Sequence, residues 1–394
     1  MKGWSHISVR RFGLFALTCL ASACPLSADA ATADPGTSNA ATQAGLSVVA
    51  QSRQSVWNGV VVAPDGRLFV VLPRIANQGG PSLASIGADG GLLPYPDASW
   101  NGAGGGQKSQ AGDGPGLVFV GLNAIHLAPD GALWAVDTGA PGFGKPAVHH
   151  GARLIRIDLA SNQVTRVLTL PDEVLRPKSM IDDIRFNGGH AYITDAGSPG
   201  LIVLDLGAGT FRRLLDQSPA LTARRPIVVD GDTLRGPDGK PVMLNADQLE
   251  VSQDGATLYV QPLCGPMSRI STALLDDPGQ TAAQLAAGIS FWYDTPALGG
   301  TAIMPDGTLL LNDLEDDSIL SLSPDRVLSR LIADPRLHWA DAPFLGQDGT
   351  LTVPVPQLDR AAPFQHGRSR IAFPVFLYAV KPAGLIQAAA KAQP

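Results

Sequence analysis

The sequence predicts an all-β fold, a six-bladed β-propeller. Three observations favour it: a strand–turn–strand segment recurs six times, most copies are followed by another strand pair, and the composition suits short strands. The 394 residues include 44 Gly and 32 Pro, and only 16% are charged, as expected for many strands joined by tight turns. Hydrophobic residues make up 45%, so we expect most of the chain to fold rather than stay disordered.

The first thirty residues are typical of an export signal. A positively charged start, with Arg10-Arg11, precedes an apolar run over residues 12–23 that is too short to span a bilayer. Ala28-Asp29-Ala30 has the small residues of a cleavage site. We expect cleavage after Ala30, and hence a periplasmic or extracellular protein.

Two other export routes stay open, and both concern the same segment. Cys24 follows a poor lipobox and could carry a lipid anchor, while Arg10-Arg11 is a weak twin-arginine signal. Residues 31–43, rich in Ala, Thr, Ser and Gly, are predicted to be a flexible lead-in.

Loss of the signal leaves an acidic chain with one thiol. Removing residues 1–30 takes away three positive charges and one negative charge, so the formal charge moves from −6 to −8. This argues against a nucleic-acid partner, and we expect a small-molecule ligand and no transmembrane span. Cys264 is then the only cysteine, so no intrachain disulfide forms and packing alone must hold the fold.

The repeat supplies the first two strands of each blade. Six segments align, five without a gap and the third with one residue deleted at the turn: 58–66, 123–131, 182–189, 247–255, 299–307 and 341–349. Each ends in Asp-Gly or Gly-Gly and leads into a second strand: Leu68–Leu72, Leu133–Val136, Ala191–Thr194, Thr257–Val260, Thr308–Leu311 and Thr350–Val353. These features predict a β-hairpin repeated six times.

Further strands complete the blades. Leu154–Leu159 with Gln163–Leu170 is one such pair, and four strands per unit is what a propeller blade requires. Phe373–Val380 is predicted to be the third strand of blade six, and Leu46–Ser52 has no partner near it in sequence. We therefore expect the N-terminal strand to complete the last blade and close the ring, since an edge would otherwise stay unpaired. The propeller is predicted over residues 44–383, with 384–394 as a C-terminal tail.

The first position of the repeat predicts the functional site. These positions are Asn58, Asn123, Asp182, Asp247, Gly299 and Asp341. Propeller topology directs them towards the central axis, whereas the Asp-Gly turns lie at the opposite end and are predicted to be structural. Three carboxylates around one cavity repel each other unless protons or a cation neutralise them. Oxygen ligands of this kind suit a hard divalent cation, Ca²⁺ first and Mg²⁺ or Mn²⁺ next.

Some candidate residues have an alternative structural interpretation. An Asn or Asp at a strand entrance often bonds its own loop backbone. Asp137, Asp195 and Asp313 end second strands on the pocket face, and could line the pocket or cap turns. His149-His150 lies in a Gly/Pro-rich loop on that face, with substrate contact and a solvated loop both open. Cys264 is interpreted as a small buried residue rather than a nucleophile.

Several phrases resemble the Yellow/major royal jelly protein family, in particular its bacterial members. They are residues 122–131, 133–139, 191–197 and 374–380, and the likeness covers about residues 45–383. The resemblance implies a secreted six-bladed propeller. It leaves the chemistry open, because some insect members convert dopachrome, others bind small amines, and others serve as nutrient proteins.

A more distant similarity to gluconolactonase and regucalcin propellers implies an axial metal. In those proteins a Glu, two Asn and an Asp from the first four blades hold a divalent ion, and by blade position they correspond here to Asn58, Asn123, Asp182 and Asp247. Asn58 stands where that family has Glu, and Asp182 stands where it has Asn. The total ligand charge is the same but is distributed differently among the blades. Metal binding therefore stays an expectation, whereas the lactonase mechanism of that family does not carry over directly.

These observations yield two enzymatic hypotheses and one non-catalytic alternative. Asp182 and Asp247 are the candidate catalytic residues, either moving a proton in a dopachrome-type isomerase or serving, with a cation, in a lactone hydrolase. Asn123, Asp341, His149 and Asp137 are the candidate substrate-binding residues. The alternative is a propeller that only binds a ligand or a protein.

Overall fold

The computed structural model describes residues 45–77, 79–102 and 118–392, with side chains as far as residue 387. Its strands form six four-stranded antiparallel sheets arranged as the blades of a β-propeller, which confirms the predicted fold class. The predicted signal, the lead-in to residue 43 and the lipid-anchor candidate Cys24 lie outside the described residues. Among the described helices, none is both long and apolar enough to cross a membrane.

The first three blades each use four consecutive strands. Blade one contains β2 (Gly59–Val62), β3 (Leu68–Val71), β4 (Leu83–Ile86) and β5 (Leu92–Pro94). Blade two contains β6 (Leu122–Leu127), β7 (Leu133–Asp137), β8 (Arg153–Asp158) and β9 (Gln163–Thr169). Blade three contains β10 (Ile181–Asn187), β11 (His190–Asp195), β12 (Gly200–Asp205) and β13 (Thr210–Leu214).

The last three blades carry the insertions. A small hairpin, β14 (Val228–Val229) and β15 (Asp232–Thr233), precedes blade four. Blade four contains β16 (Ala246–Val251), β17 (Thr257–Pro262), β18 (Met267–Ser271) and β19 (Ser290–Tyr293), with helices α1 (Thr272–Asp276) and α2 (Ala282–Gly288) before its last strand. Blade five contains β20 (Leu298–Ile303), β21 (Leu309–Asp313), β22 (Ser318–Leu322) and β23 (Leu328–Ala333). Blade six contains β24 (Phe344–Leu345), β25 (Leu351–Val355), β26 (Val375–Val380) and β1 (Ser47–Ser52).

The N-terminal strand is therefore part of the sixth sheet. β1 pairs antiparallel with β26, with Ser47 opposite Ala379 and Ser52 opposite Val375. β26 begins at Val375, two residues later than the sequence predicted. That the pairing of β1 fastens the ring stays a prediction.

The Asp-Gly turns have the structural role that the repeat predicted. In blade one the Asp65 carboxylate accepts a hydrogen bond from the N–H of Arg67 at 3.0 Å, and Gly66 has φ of 85°. The same aspartate-to-backbone bond recurs in four further blades. Glycine relieves the steric cost of this left-handed conformation, so each turn closes a hairpin tightly.

Apolar clusters fill the space between the blades. Each pair of neighbouring blades shares one, including blades six and one, where Val375 and Leu377 pack with Val60 and Val70. A seventh cluster lies at the end of the axis where the inserted hairpin sits. Helix α3 (Pro382–Ala392), which the predicted tail did not anticipate, packs Leu385 against the cluster between blades five and six.

Candidate functional site

The first positions of the repeat meet around one cavity on the propeller axis. Asn58, Asn123, Asp182, Asp247 and Asp341 all line it, and its volume is about 160 Å³. All are buried except Asn123, which is partly exposed. The structure thus brings together the five Asn and Asp residues that the repeat aligned, while the chemical role of each stays a prediction.

Breaks in strand pairing direct these side chains to the axis. The pairing of β6 with β7 skips Asn123, that of β10 with β11 skips Asp182 and Asp183, and that of β16 with β17 skips Asp247 and Gln248. A bulge at the start of a strand releases side chains from the alternating pattern of the sheet and re-aims them. The innermost strand of each of these blades thereby turns polar side chains inward.

Hydrogen bonds link the blades around the axis. The Asn58 amide Nδ2 donates to the carbonyl oxygen of Asn123 at 3.1 Å, and the Asn123 Nδ2 donates to Asp182 Oδ1 at 2.6 Å. The carboxyl groups of Asp182 and Asp247 are hydrogen-bonded to each other. Ala342 N donates to the carbonyl oxygen of Asn58 at 3.1 Å. The axial residues therefore form a connected network rather than separate loop caps.

The three axial carboxyl groups resist ionisation. Burial raises the pKa of Asp182 to about 7, and the charge of Asp183 adds to the effect. Burial, followed by the charge of Asp182, raises the pKa of Asp247 well above its usual range. Burial also raises the pKa of Asp341 well above its usual range, although the N–H of Ala342 opposes it. Protons or a cation must compensate these groups.

We call the axial residues Asn58, Asn123, Asp182, Asp247 and Asp341 the floor of the cavity. Three polar side chains that the sequence did not predict support this floor. Gln248 donates from Nε2 to Asp247 Oδ1 at 2.7 Å, and Trp339 donates from Nε1 to Asp341 Oδ2 at 3.2 Å. Asn312 donates from Nδ2 to the carbonyl oxygen of Asp341 at 2.6 Å. Gln248 directly follows Asp247, so its position in the repeat could have predicted that it lies near the axis. The positions of Trp339 and Asn312 could not have been predicted in this way, because their placement depends on the fold.

Nearby cations do not neutralise the floor. Arg185 also lines the cavity, but it forms ion pairs with Asp183 at 2.6 Å and Glu250 at 2.8 Å. Thr301 donates to the same Glu250 carboxylate at 2.9 Å. Within the described residues, no Lys or Arg forms an ion pair with Asp182, Asp247 or Asp341.

The donor set fits a hard divalent cation. Over the described ranges of the chain, the buried oxygens Asn58 Oδ1, Gln248 Oε1 and Asn312 Oδ1 have no hydrogen-bond partner, and unpaired buried oxygens are costly unless a donor or an ion meets them. Carboxylate and amide oxygens are the ligands that Ca²⁺ prefers. In the described part of the chain, the axial carboxylates do not belong to any group of three or more His, Cys, Asp or Glu residues whose ligand atoms all lie within 4.8 Å of one another. An ion here would rely on amide as well as carboxylate oxygens.

Two predicted substrate-binding residues, Asp137 and His149, lie outside the axial cavity, and their role in substrate binding stays a prediction. Asp137 does not line the axial cavity: it is fully buried, pairs with Arg153 at 2.9 Å, and accepts backbone hydrogen bonds from Val120 and Gly121. Of the two alternatives for Asp137, capping fits these contacts. His149 is exposed and stacks on His150, with ring centroids 3.8 Å apart, at a separate surface cavity. The direction of the His149 side chain could not be predicted from propeller topology, because His149 lies in a long Gly/Pro-rich loop.

Other predicted polar residues at strand ends also cap turns. Asp195 accepts hydrogen bonds from Met180 N at 2.9 Å and Ser198 N at 2.9 Å, and pairs with Arg213 at 2.9 Å. Asp313 accepts from Glu315 N at 2.9 Å. Burial raises the pKa of Cys264 to about 12, which agrees with its interpretation as an inert buried thiol.

Apolar side chains form the walls above the floor. The segment that contains β14 and β15 contributes Ile227, Leu234 and Val242, each under one-tenth exposed. Phe143 and Phe364 reach in from the rims of blades two and six, with ring centroids 5.0 Å apart. The site thus combines an acidic, amide-rich floor with an apolar enclosure, an arrangement typical of small-molecule sites.

Comparison with known proteins identifies one family and the fold. A family model described as "Major royal jelly protein" matches residues 124–330, just over half of the chain. A search of curated proteins gives no match.

Solved structures agree on the architecture. Regucalcin from Agrobacterium tumefaciens, described as a calcium-binding protein, is 12% identical with a TM-score of 0.51, over 86% of this chain and 93% of that one. A luciferin-regenerating enzyme is 12% identical with a TM-score of 0.51, over 86% and 95%. A candidate gluconolactonase is 13% identical with a TM-score of 0.52, over 86% and 93%. At these identities the likeness establishes a shared fold.

Proposed function

Given that the chain belongs to the major royal jelly protein family, we propose that its axial cavity hydrolyses lactones with the help of a divalent cation. One observation carries the proposal. Three buried carboxyl groups meet in one cavity, where, among the residues that the structure describes, no Lys or Arg pairs with them and Asn58 Oδ1 and Gln248 Oε1 lack a donor. Such a site gains most from a hard cation.

Asn58, Asn123, Asp182 and Asp247 are the residues proposed to hold the ion, with Ca²⁺ as the first choice and Mg²⁺ or Mn²⁺ as the next. The bound cation supplies polarisation of the ester carbonyl and a lowered pKa for water. The regucalcin whose fold this chain shares is described as a calcium-binding protein, which supports the choice of ion.

The protein's own groups would manage the protons. The Asp247 carboxylate, held by Gln248 Nε2, accepts a proton from the water whose oxygen bonds to the carbonyl carbon. Asp182, held by Asn123 Nδ2, donates a proton to the ring oxygen as its bond to the carbonyl carbon breaks. One water is consumed and a hydroxy acid is released. The hydrogen bond between Asp182 and Asp247 then lets the proton return.

A second candidate is a proton-transfer isomerase, for example of a dopachrome-type substrate. The hydrogen bond between the two carboxyl groups favours it, because such a bond requires a shared proton that could be delivered to substrate. Both candidates use the same floor, and only the first requires a cation.

The test compares Asp247→Asn with Asp254→Asn, a matched change in the exposed Asp-Gly turn of the same blade. Both proteins, and the wild type, are analysed for metal, stripped with a chelator, and assayed on a panel of lactones and on dopachrome with Ca²⁺, Mg²⁺ or Mn²⁺ restored. We expect lactone turnover that depends on the cation and falls at least about a hundredfold in Asp247→Asn, with full activity in Asp254→Asn.

The other outcomes separate the alternatives. Cation-independent turnover of dopachrome would establish the isomerase instead. Full lactonase activity in Asp247→Asn would remove Asp247 from the mechanism. Absence of turnover, together with a melting temperature that no cation raises, would leave a non-catalytic binding propeller, since an ion bound only by the native state stabilises it.

A further inference from the structure

The axial cavity opens into a second, wider cavity at the surface, which we call the mouth. The two share the lining residues Arg74, Ile75, Phe143, Leu234 and Phe364, so they lie next to each other. The mouth has a volume of about 1550 Å³ against about 160 Å³ for the axial cavity. A ligand seated on the floor can therefore extend outward.

The stretch between floor and mouth offers a ligand little hydrogen bonding. Its walls are Ile227, Leu234, Val242, Phe143 and Phe364, together with other apolar side chains. A polyhydroxylated substrate would place hydroxyl groups there without partners, which is costly. An apolar stem would instead be removed from water.

Several polar side chains that line the axial cavity are already engaged with the protein. Thr138 donates to the carbonyl oxygen of Gly121 at 2.8 Å, and Thr301 donates to Glu250 at 2.9 Å. Arg74 donates to Ser82 Oγ at 2.8 Å. The walls therefore favour apolar ligand atoms even where a polar residue contributes to them.

The mouth carries an excess of positive charge, in contrast to the whole chain, whose formal charge is −6. Its basic residues are Arg74, Lys145, Arg235, Arg360 and Arg370. Its acidic residues are Asp230, Asp232 and Asp359.

Two of the three mouth carboxylates already face a histidine. His338 Nε2 lies 3.0 Å from Asp359, and His338 Nδ1 lies 3.8 Å from Asp230. In the part of the chain that the structure describes, Lys145 and Arg370 are exposed and have no ion-pair partner. Lys145 and Arg370 are thus available to a ligand, whereas two of the three carboxylates already have a partner.

We propose that the site takes lactones whose apolar substituent ends in an anionic group, with the ring on the floor, the stem between the apolar walls, and the anion at Lys145 and Arg370. This inference rests on the proposed lactone hydrolysis. It departs from a sugar lactone, whose hydroxyl groups the walls do not satisfy.

The test uses a charge-removing variant and a matched control. Lys145→Gln/Arg370→Gln removes two mouth cations that have no ion-pair partner among the described residues. Arg269→Gln/Arg326→Gln removes two exposed cations that line neither cavity. The substrates are a δ-lactone bearing a hexanoate side chain and the methyl ester of the same compound.

We expect the wild type to have a lower KM for the carboxylate than for its ester, and the mouth variant to raise the carboxylate KM about tenfold while leaving the ester unchanged. The control variant should behave as the wild type, and high salt should remove the preference. Equal KM values for the two substrates in the wild type, or an equal effect of both variants, would overturn the inference while leaving lactone hydrolysis intact.

A binding measurement separates this inference from the proposed function. Phenylhexanoate and phenylhexanol are titrated calorimetrically into the wild type and both variants, without any turnover. Tighter binding of the carboxylate that only the mouth variant loses supports the anionic subsite, even if no lactone is hydrolysed. Equal binding of acid and alcohol overturns it.

Discussion

Buried aspartates in this protein fall into two groups that differ in what neutralises them. Asp137 and Asp195 are fully buried, and each has an arginine within 2.9 Å and several backbone donors. Asp182 and Asp247 are also buried, but within the described residues no Lys or Arg pairs with them, and their carboxyl groups are hydrogen-bonded to each other. The first group holds the chain in place, and the second retains unsatisfied charge that a ligand or ion can use.

The two groups should respond to Asp→Asn substitution in opposite ways. Asp137→Asn leaves Arg153 buried without a counter-charge, so we expect the free energy of unfolding to fall by about 3–5 kcal/mol. Asp182→Asn removes one of the mutually repelling carboxyl groups, so stability without divalent cations should be unchanged or higher. Guanidinium unfolding of both variants measures this, and a large loss of stability in Asp182→Asn would mean that the axial network is structural.

His338 links three segments at the mouth and gives a pH-dependent contribution to stability. Burial alone would lower the pKa of His338, but the carboxylates of Asp317, 3.3 Å from Nδ1, and Asp359, 3.0 Å from Nε2, outweigh it and raise that pKa to about 9. Asp230, at 3.8 Å, and Arg360 are the other charged groups beside it. The folded state therefore binds this proton more tightly than the unfolded chain does.

The stabilisation is fully present below the usual histidine pKa of about 6.5 and is lost as the pH rises through about 9. We expect the free energy of unfolding to fall between pH 6.5 and 9.5 in the wild type, and to fall less in His338→Gln. The control is His366→Gln, an exposed histidine at the same mouth. Parallel pH profiles for the wild type and His338→Gln would contradict this assignment.

Among single side chains, the sequence predicted those that the repeat places and missed those that depend on long-range contacts. Asn123 and Asp247 were predicted because they stand at the aligned first position of the repeat, where the structure has bulges. Asp137 was left ambiguous because its partner, Arg153, follows a loop whose path the sequence does not specify. Trp339 reaches Asp341 only through a local backbone turn with φ of 57°, which no periodic pattern signals.

The blades and the insertions were predictable to different degrees. Strands such as β7 and β17 were predicted from the repeat and its preceding Asp-Gly turn, and their observed limits differ from the predictions by a residue or two. β14, β15 and α3 have weaker local patterns, because their stability comes from packing on the propeller rather than from their own sequence. The segment with the weakest sequence signal, β14 and β15, thus contributes the walls of the site.

The ring as a unit depends on packing between neighbours. Each blade buries its faces against the next, and the axial hydrogen bonds run across those same seams from Asn58 to Asn123 and on to Asp182. A change in the position of one blade would therefore alter the distances at the floor. The same rigidity that closes the core keeps the carboxyl groups close despite their repulsion.

Closure of the ring by β1 is the remaining structural prediction. Residues 47–52 pair with β26, and Leu46 is buried in the cluster between blades five and six. A chain that starts at Gln54 should lose these contacts and expose the edge of β26. We expect its free energy of unfolding to fall by about 3 kcal/mol or more relative to a chain that starts at Gly45. A chain that starts at Ala31 serves as the control and should match the Gly45 chain.

Addition of a synthetic peptide of residues 45–53 should restore stability to the shortened chain, whereas a scrambled peptide should not, because only the native sequence places Leu46 in its cluster. If the chain that starts at Gln54 unfolds at the same denaturant concentration as the longer ones, the ring is held by the seams between blades and β1 merely covers an edge.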